Sequence, residues 1–225
     1  MNPALTRHLL AAGILAGPLV LAVDFTLALT REGFDLRRHA SSQLALGDGG
    51  WMQSLNFVVA GLLMLAFTLG LHRALRSQPG GRWAPRLMAV FALSHVGVGL
   101  FSIDPAFGFP PSPGTPAGLP AYDQASFHAV LHSLFGFVGF IALAAACAVL
   151  AWHFHRRGDR GWSWLALLPT VTVLLISVYA SHYESQHSDP AVRALAQFDF
   201  RPMWASLPVI WGTLSALAWA LRRRR

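Results

Sequence analysis

The sequence predicts an all-α, polytopic membrane protein with six transmembrane helices in one bundle and both termini cytoplasmic. Three observations carry this prediction. Apolar residues make up 54% of the 225 and charged residues only 12%, with a mean hydropathy of +0.47, the composition of a chain whose solvent is lipid. The apolar residues fall into six runs of roughly the 17–25 residues that cross a hydrocarbon core of about 30 Å. Arginine, the sole fixed cation because lysine is absent, is concentrated in alternate connections between the runs.

The six runs cover roughly residues 8 to 29, 51 to 71, 85 to 103, 124 to 153, 162 to 182 and 203 to 221. Each is assigned as a helix, because backbone polar groups in lipid must be satisfied within the segment. Together they form one domain over residues 1–225. The first run has Arg7 and His8 before it, as a signal peptide would, but its apolar length and the Asp24 inside it mark a retained span.

Orientation follows from arginine. The N-terminus, the connections after runs two and four, and the tail hold twelve of the 17 arginines, including Arg73, Arg76, Arg82, Arg86, Arg156, Arg157, Arg160 and Arg222 to Arg225. Arg31, Arg37, Arg38, Arg193 and Arg201 lie on the other side. By the positive-inside rule both termini are cytoplasmic. The pI of 11.2 then reports topology, and the "RRRR" tail is an anchor after the last span, so nucleic acid is not an expected partner. Nine of the ten acids lie toward the outer side and only Asp159 inside. A lone cysteine, Cys147, permits no internal disulfide and no cysteine-based metal site.

Inner connections such as "RSQPGGRWAPR" and "HRRGDRGW" are short and Gly/Pro-punctuated, as tight links between antiparallel neighbours require. The outer ones carry the content. "RRHASSQLALGDGGW" (Arg37 to Trp51) is predicted to hold a short helix at "SSQLAL" capped by Ser41 or Ser42. "DPAFGFPPSPGTPAGLPAYD" (Asp104 to Asp123) has six prolines and is predicted to be extended and stiff. The third connection is predicted to hold a short interfacial helix around Val192 to Gln197 before Pro202 opens the last span. The eight tryptophans, Trp204 among them, read mostly as an interfacial belt.

Ionisable groups inside spans are costly and normally face a bundle interior or a wet cavity, so their placement is the most informative feature. "SFHAVLHSLFGFVGF" puts His128 and His132 four apart on one face of span four, with Gly136 and Gly139 continuing the stripe and allowing a close neighbour. His95 in span three lies roughly 12 Å inside its outer end, and His132 at a similar depth in span four. Asp24, Gln53 and Asn56 on one face of span two, and Tyr179 and His182 at the end of span five, approach the same level.

Three readings of this set compete. In the first, His95, His128, His132 and His182 supply ligands to a divalent metal such as zinc, Asp104 acts as ligand or general base, and Ser42 and His39 face substrate, with Asp24, Gln53, Asn56 and Tyr179 binding it. Imidazole and carboxylate suit such an ion, and a bound water would become a hydroxide near neutral pH for attack on an ester or amide. In the second, the outer histidines and the inner His72 and His153 ligate two haems of a b-type electron carrier. In the third, the polar groups bond one another and fix helix register.

The motifs resemble a known family. "HASSQLALGDGGWMQSLNFVVAGLLMLAFTLGL", "GVGLFSIDPAFGFPP" and "FHAVLH" are similar to the Ser-x-Leu loop, Gly-Trp pair, Gly-rich third span ending in Asp-Pro, and histidine-opened fourth span of the prokaryotic family catalogued as domain of unknown function 998. The resemblance covers nearly the whole chain. It implies six spans in a prokaryotic inner or plasma membrane and marks Ser42, Leu44, Gly50, Trp51, Asp104, Pro105 and His128 as family-like positions, without naming an activity. A looser similarity is to alkaline-ceramidase-type membrane hydrolases, which combine Ser, Asp and a His-x-x-x-His pair around zinc; here the pair falls in span four of six rather than in a final span.

The expectation is therefore a polar chamber at the outer leaflet, roofed by the first two outer loops. Its leading function is metal-assisted hydrolysis or transfer on a lipid-like substrate, with membrane lipid as the partner. The alternative is a non-catalytic assembly partner or lipid- or solute-binding protein.

Overall fold

The computed structural model describes residues 2–120, 122–186 and 198–224. Six helices form, each long and apolar enough to cross a membrane: α1 (Pro3–Thr30), α2 (Trp51–Leu75), α3 (Trp83–Leu100), α4 (Phe127–Arg156), α5 (Arg160–Gln186) and α6 (Arg201–Arg223). Their local logic is written at their ends. Asn2 caps α1, its Oδ1 accepting from the Ala4 and Leu5 amides at 2.9 and 3.3 Å, and Pro3 takes a first-turn position where a missing N–H is no loss. Ser126 caps α4 through the Ala129 amide at 3.1 Å. Pro202 opens α6 as expected. The residues 192–197 assigned to a short helix lie outside the described ones.

The helices form a ring in chain order. Each packs on its sequence neighbours, α6 closes the ring against α1, and the α5–α6 seam is the thinnest. The core of the ring is apolar, built on Leu10, Phe67, Met88, Leu143, Phe154 and Leu217. Close approach is licensed by small residues: a Cβ on Gly139 of α4 would lie 2.8 Å from the Ser94 Cβ of α3. Gly136, one turn toward the acidic end, has nothing within 4 Å of its Cβ position. The predicted stripe of glycines is therefore split, with Gly139 receiving α3 and Gly136 facing a void.

Three local expectations are corrected. Neither Ser41 nor Ser42 caps the short helix over Ser41–Ala45; Ala40 stands at the cap position, and its N–H donates to Gln43 Oε1 at 2.9 Å. Helix α3 ends at Leu100, with the Phe101 amide closing on the Gly97 carbonyl, so Asp104 lies in the loop, beyond the helix. The proline-rich connection is not extended. Residues Ala106 to Phe109 turn back on themselves, with Phe107 and Gly108 at positive φ, and Ala106, Phe107 and Phe109 are buried. Aromatic burial overrides the stiffness of the prolines, because removing two phenylalanines from water is worth about 3–6 kcal/mol.

Candidate functional site

The first outer connection and the proline-rich loop bond directly to each other. His39 is buried, its Nδ1 accepting from the Asp35 amide at 2.9 Å and its Nε2 placed 3.0 Å from the Phe107 carbonyl. A carbonyl only accepts, so the proton sits on Nε2. Gln43 donates to the Ala106 carbonyl at 2.8 Å, and Trp204 of α6 donates to the His39 carbonyl at 2.8 Å. Phe34 and Phe109 pack on the His39 ring at 5.1 and 5.3 Å. Burial, the larger influence, pulls the His39 pKa below its ordinary value, Arg38 adds to that, and the Phe107 bond and Asp35 oppose it.

Beneath this roof lies a cavity of about 300 Å³ at the centre of the ring. Ala40, Ser41 and Ser42 line its top, Asp24 its α1 wall, His95 and Ser94 its α3 wall, and His132 and Gly136 its α4 wall. Phe57, Phe91, Trp204 and Trp211 contribute to a largely apolar lining that also includes Ser177 and Ser206. Phe137, Phe140 and Ile141 of α4 line the cavity and are also exposed on the outside of the bundle, Phe137 at 68%. The chamber thus opens sideways as well as facing the loops.

Asp24 is 1% exposed and is held by α2: Gln53 Nε2 and Asn56 Nδ2 both donate to its Oδ1, at 2.5 and 3.2 Å. His132 Nδ1 lies 2.8 Å from the Phe101 carbonyl, the free end of α3. That bond puts its proton on Nδ1 and leaves Nε2 with a lone pair. His95 sits among Trp211, Phe91 and Phe57, ring centroids 5.1, 5.2 and 5.5 Å away, and its buried Nε2 has no hydrogen-bond partner.

Of the residues selected from sequence, Asp24, Ser42, His95 and His132 line the chamber. The others do not. Gln53 and Asn56 are buried behind Asp24 and position it. His39 spends both ring nitrogens on the roof and faces no substrate. Asp104 accepts the Ser126 amide at 2.8 Å and so anchors the start of α4. His128 is exposed beside the Phe101 ring, 5.5 Å away. Tyr179 donates to the Asp199 carbonyl at 3.1 Å within an aromatic cluster at the outer end of α5, and His182 is exposed on the same helix. Among the described residues no three His, Cys, Asp or Glu side chains group as a ligand set for a metal ion. At the inner end His72 is exposed and His153 is buried against the Pro79 carbonyl at 2.8 Å.

Two tryptophans escaped sequence reasoning. Trp204 departs from the interfacial-belt expectation, being 5% exposed and joining the roof to α6; Trp211, 3% exposed, is chamber wall. Trp211 lies mid-helix, too deep for a belt residue, and that position was the available signal.

The family model described as "Protein of unknown function (DUF998)" matches residues 14–222, from the first helix to the end of the last. The chain belongs to the DUF998 family. No curated protein and no solved structure matches it. In this DUF998 chain the family-like Ser42 lies in the chamber lining, Leu44 is fully buried under the roof, and Asp104 fastens α4 to the loop.

Proposed function

We propose that the protein binds a lipid-like molecule taken sideways from the outer leaflet, with its polar end against Asp24, His95 and His132 and its chain leaving along α4. One observation carries this reading. A single cavity is walled by buried ionisable groups at one end and by phenylalanines exposed to the bilayer side at the other. Ionisable side chains in a span are tolerated where they share a polar pocket. A volume of about 300 Å³ is at the small end for ligand sites; it takes a head and a few methylenes and leaves the rest of the chain in lipid. Purification from a membrane followed by native mass spectrometry tests it: wild type retains a lipid-like species, and Gly136→Leu, which fills the void, loses it. Retention of the same species by both proteins counts against the chamber.

A second reading, hydrolysis or transfer on the same molecule, is favoured by His132. Its Nδ1 is held on the Phe101 carbonyl, which leaves a neutral imidazole with its lone pair on Nε2, and Ser41 and Ser42 line the same chamber. A zinc-like ion would find His95, His132 and Asp24 in the chamber lining, but among the described residues these three do not group as a ligand set. Elemental analysis of the purified protein measures this directly. A stoichiometric divalent metal that disappears in His95→Ala and His132→Ala restores the metal-assisted form of the reading.

A further inference from the structure

The hydrogen bonding of the chamber wall is unbalanced. Both amide donors on Asp24 meet Oδ1, and Oδ2 has no hydrogen bond within the described residues. Asn56 Oδ1, just behind, is a buried acceptor without a donor. His132 offers a lone pair at Nε2, its proton being held by Phe101. The hydroxyls of Ser177 and Ser206, which line the same space, donate to the Val173 and Met203 carbonyls. Asp24 Oδ2 and Asn56 Oδ1 are thus buried acceptors that no donor meets among the described residues, and buried polar groups of this kind call for a partner that supplies what is missing.

Charge points the same way. Among the described residues lining the chamber, Asp24 is the one carboxylate, and neither arginine nor lysine is present. A phosphate head would meet an acidic side chain and no fixed cation. An ammonium would meet a carboxylate with a free oxygen and the rings of Phe57, Phe91 and Trp211, whose π-systems attract cations.

We propose that the chamber selects a single-chain lipid-like molecule whose head is a protonated amine, with the ammonium on Asp24 Oδ2 and the chain running out past Phe137 and Phe140. This rests on the lipid-binding reading above and adds the class of head. Desolvation sets the selectivity: a charged head leaving water must be met by an opposite charge and hydrogen bonds, and here Asp24 supplies both.

The test uses the full chain in nanodiscs of phosphatidylcholine at neutral pH, titrated with hexadecylamine, hexadecanol and hexadecanoic acid, each corrected for empty discs and read by tryptophan fluorescence. The expected result is affinity for the amine at least about tenfold above that for the alcohol, with the acid weakest. In Asp24→Asn the amine preference collapses toward one while hexadecanol binding persists. Equal binding of amine and alcohol by the wild type, or an undiminished preference in Asp24→Asn, overturns the proposal and leaves the lipid-binding reading standing. Absence of binding by all three chains overturns both. If Asp24→Asn does not fold, hexadecylamine against its N-acetyl derivative on the wild type decides: comparable affinities overturn the proposal, and loss on acetylation upholds it.

Discussion

Asp24 and His39 are both buried, and each is defined by the groups that hold it. Replacing Asp24 with alanine leaves Gln53 and Asn56 without their shared acceptor; buried orphans cost about 1–3 kcal/mol each, so Asp24→Ala is expected to lower the thermal midpoint clearly more than Asp24→Asn. His39 gives a pH dependence whose sign is fixed by geometry. Its Nδ1 accepts an amide proton, so protonation there sets two donors against each other, and burial holds the folded pKa below the ordinary value near 6.5. For a lowered histidine, stability is complete above the unfolded value and is lost as the pH falls below about 6.5 toward the folded value. Thermal unfolding of wild type at pH 7.5 and pH 5 should show this loss, and His39→Gln, which has no titrating ring, should show a smaller one.

At the scale of elements, two glycines one turn apart on α4 separate packing from cavity. A side chain at Gly139 meets the Ser94 Cβ within 2.8 Å, whereas one at Gly136 enters open space. Gly139→Leu is expected to destabilise the α3–α4 pair by about 1–3 kcal/mol, the usual cost of overpacking. Gly136→Leu should fold with unchanged or raised stability. Comparing their midpoints in detergent checks the difference, and an equal loss in both would remove Gly136 from the chamber wall. Trp204 joins α6 to the roof by one hydrogen bond to His39 and ring contacts with Phe25 and Phe34 at 5.5 and 5.9 Å. Trp204→Phe should therefore cost about 1 kcal/mol or more and make the first outer loop more susceptible to protease.

For the whole molecule, the ring order of helices puts both termini and the arginine-rich connections at one end, and the roof and chamber at the other. With Cys147 replaced by alanine, a membrane-impermeant maleimide added from outside is expected to label Ser112→Cys in the proline-rich loop and not Ser77→Cys. The reverse pattern would invert the protein and move the chamber to the inner leaflet. The α5–α6 seam is the thinnest of the ring, and the exposed chamber rim lies on α4.

The sequence by itself determined the six spans, their alternation, the arginine asymmetry and the depth of the polar groups, because hydropathy, charge and helical rise are local quantities that survive any packing of the helices. Depth and shared face were enough to bring Asp24 to Gln53 and Asn56, and His95 to the same chamber as His132. Tertiary structure alone decided which same-depth groups share a surrounding. Helix α3 stops at Leu100, so His132 finds the Phe101 carbonyl while His128, one turn higher on α4, has passed the end of its neighbour and is exposed. The role of His39 was equally illegible, since its partners Phe107 and Trp204 lie 68 and 165 residues away. A hydrogen bond between loops depends on where the helices deliver them, and that rotation about each helix axis is set by side-chain interdigitation around the whole ring.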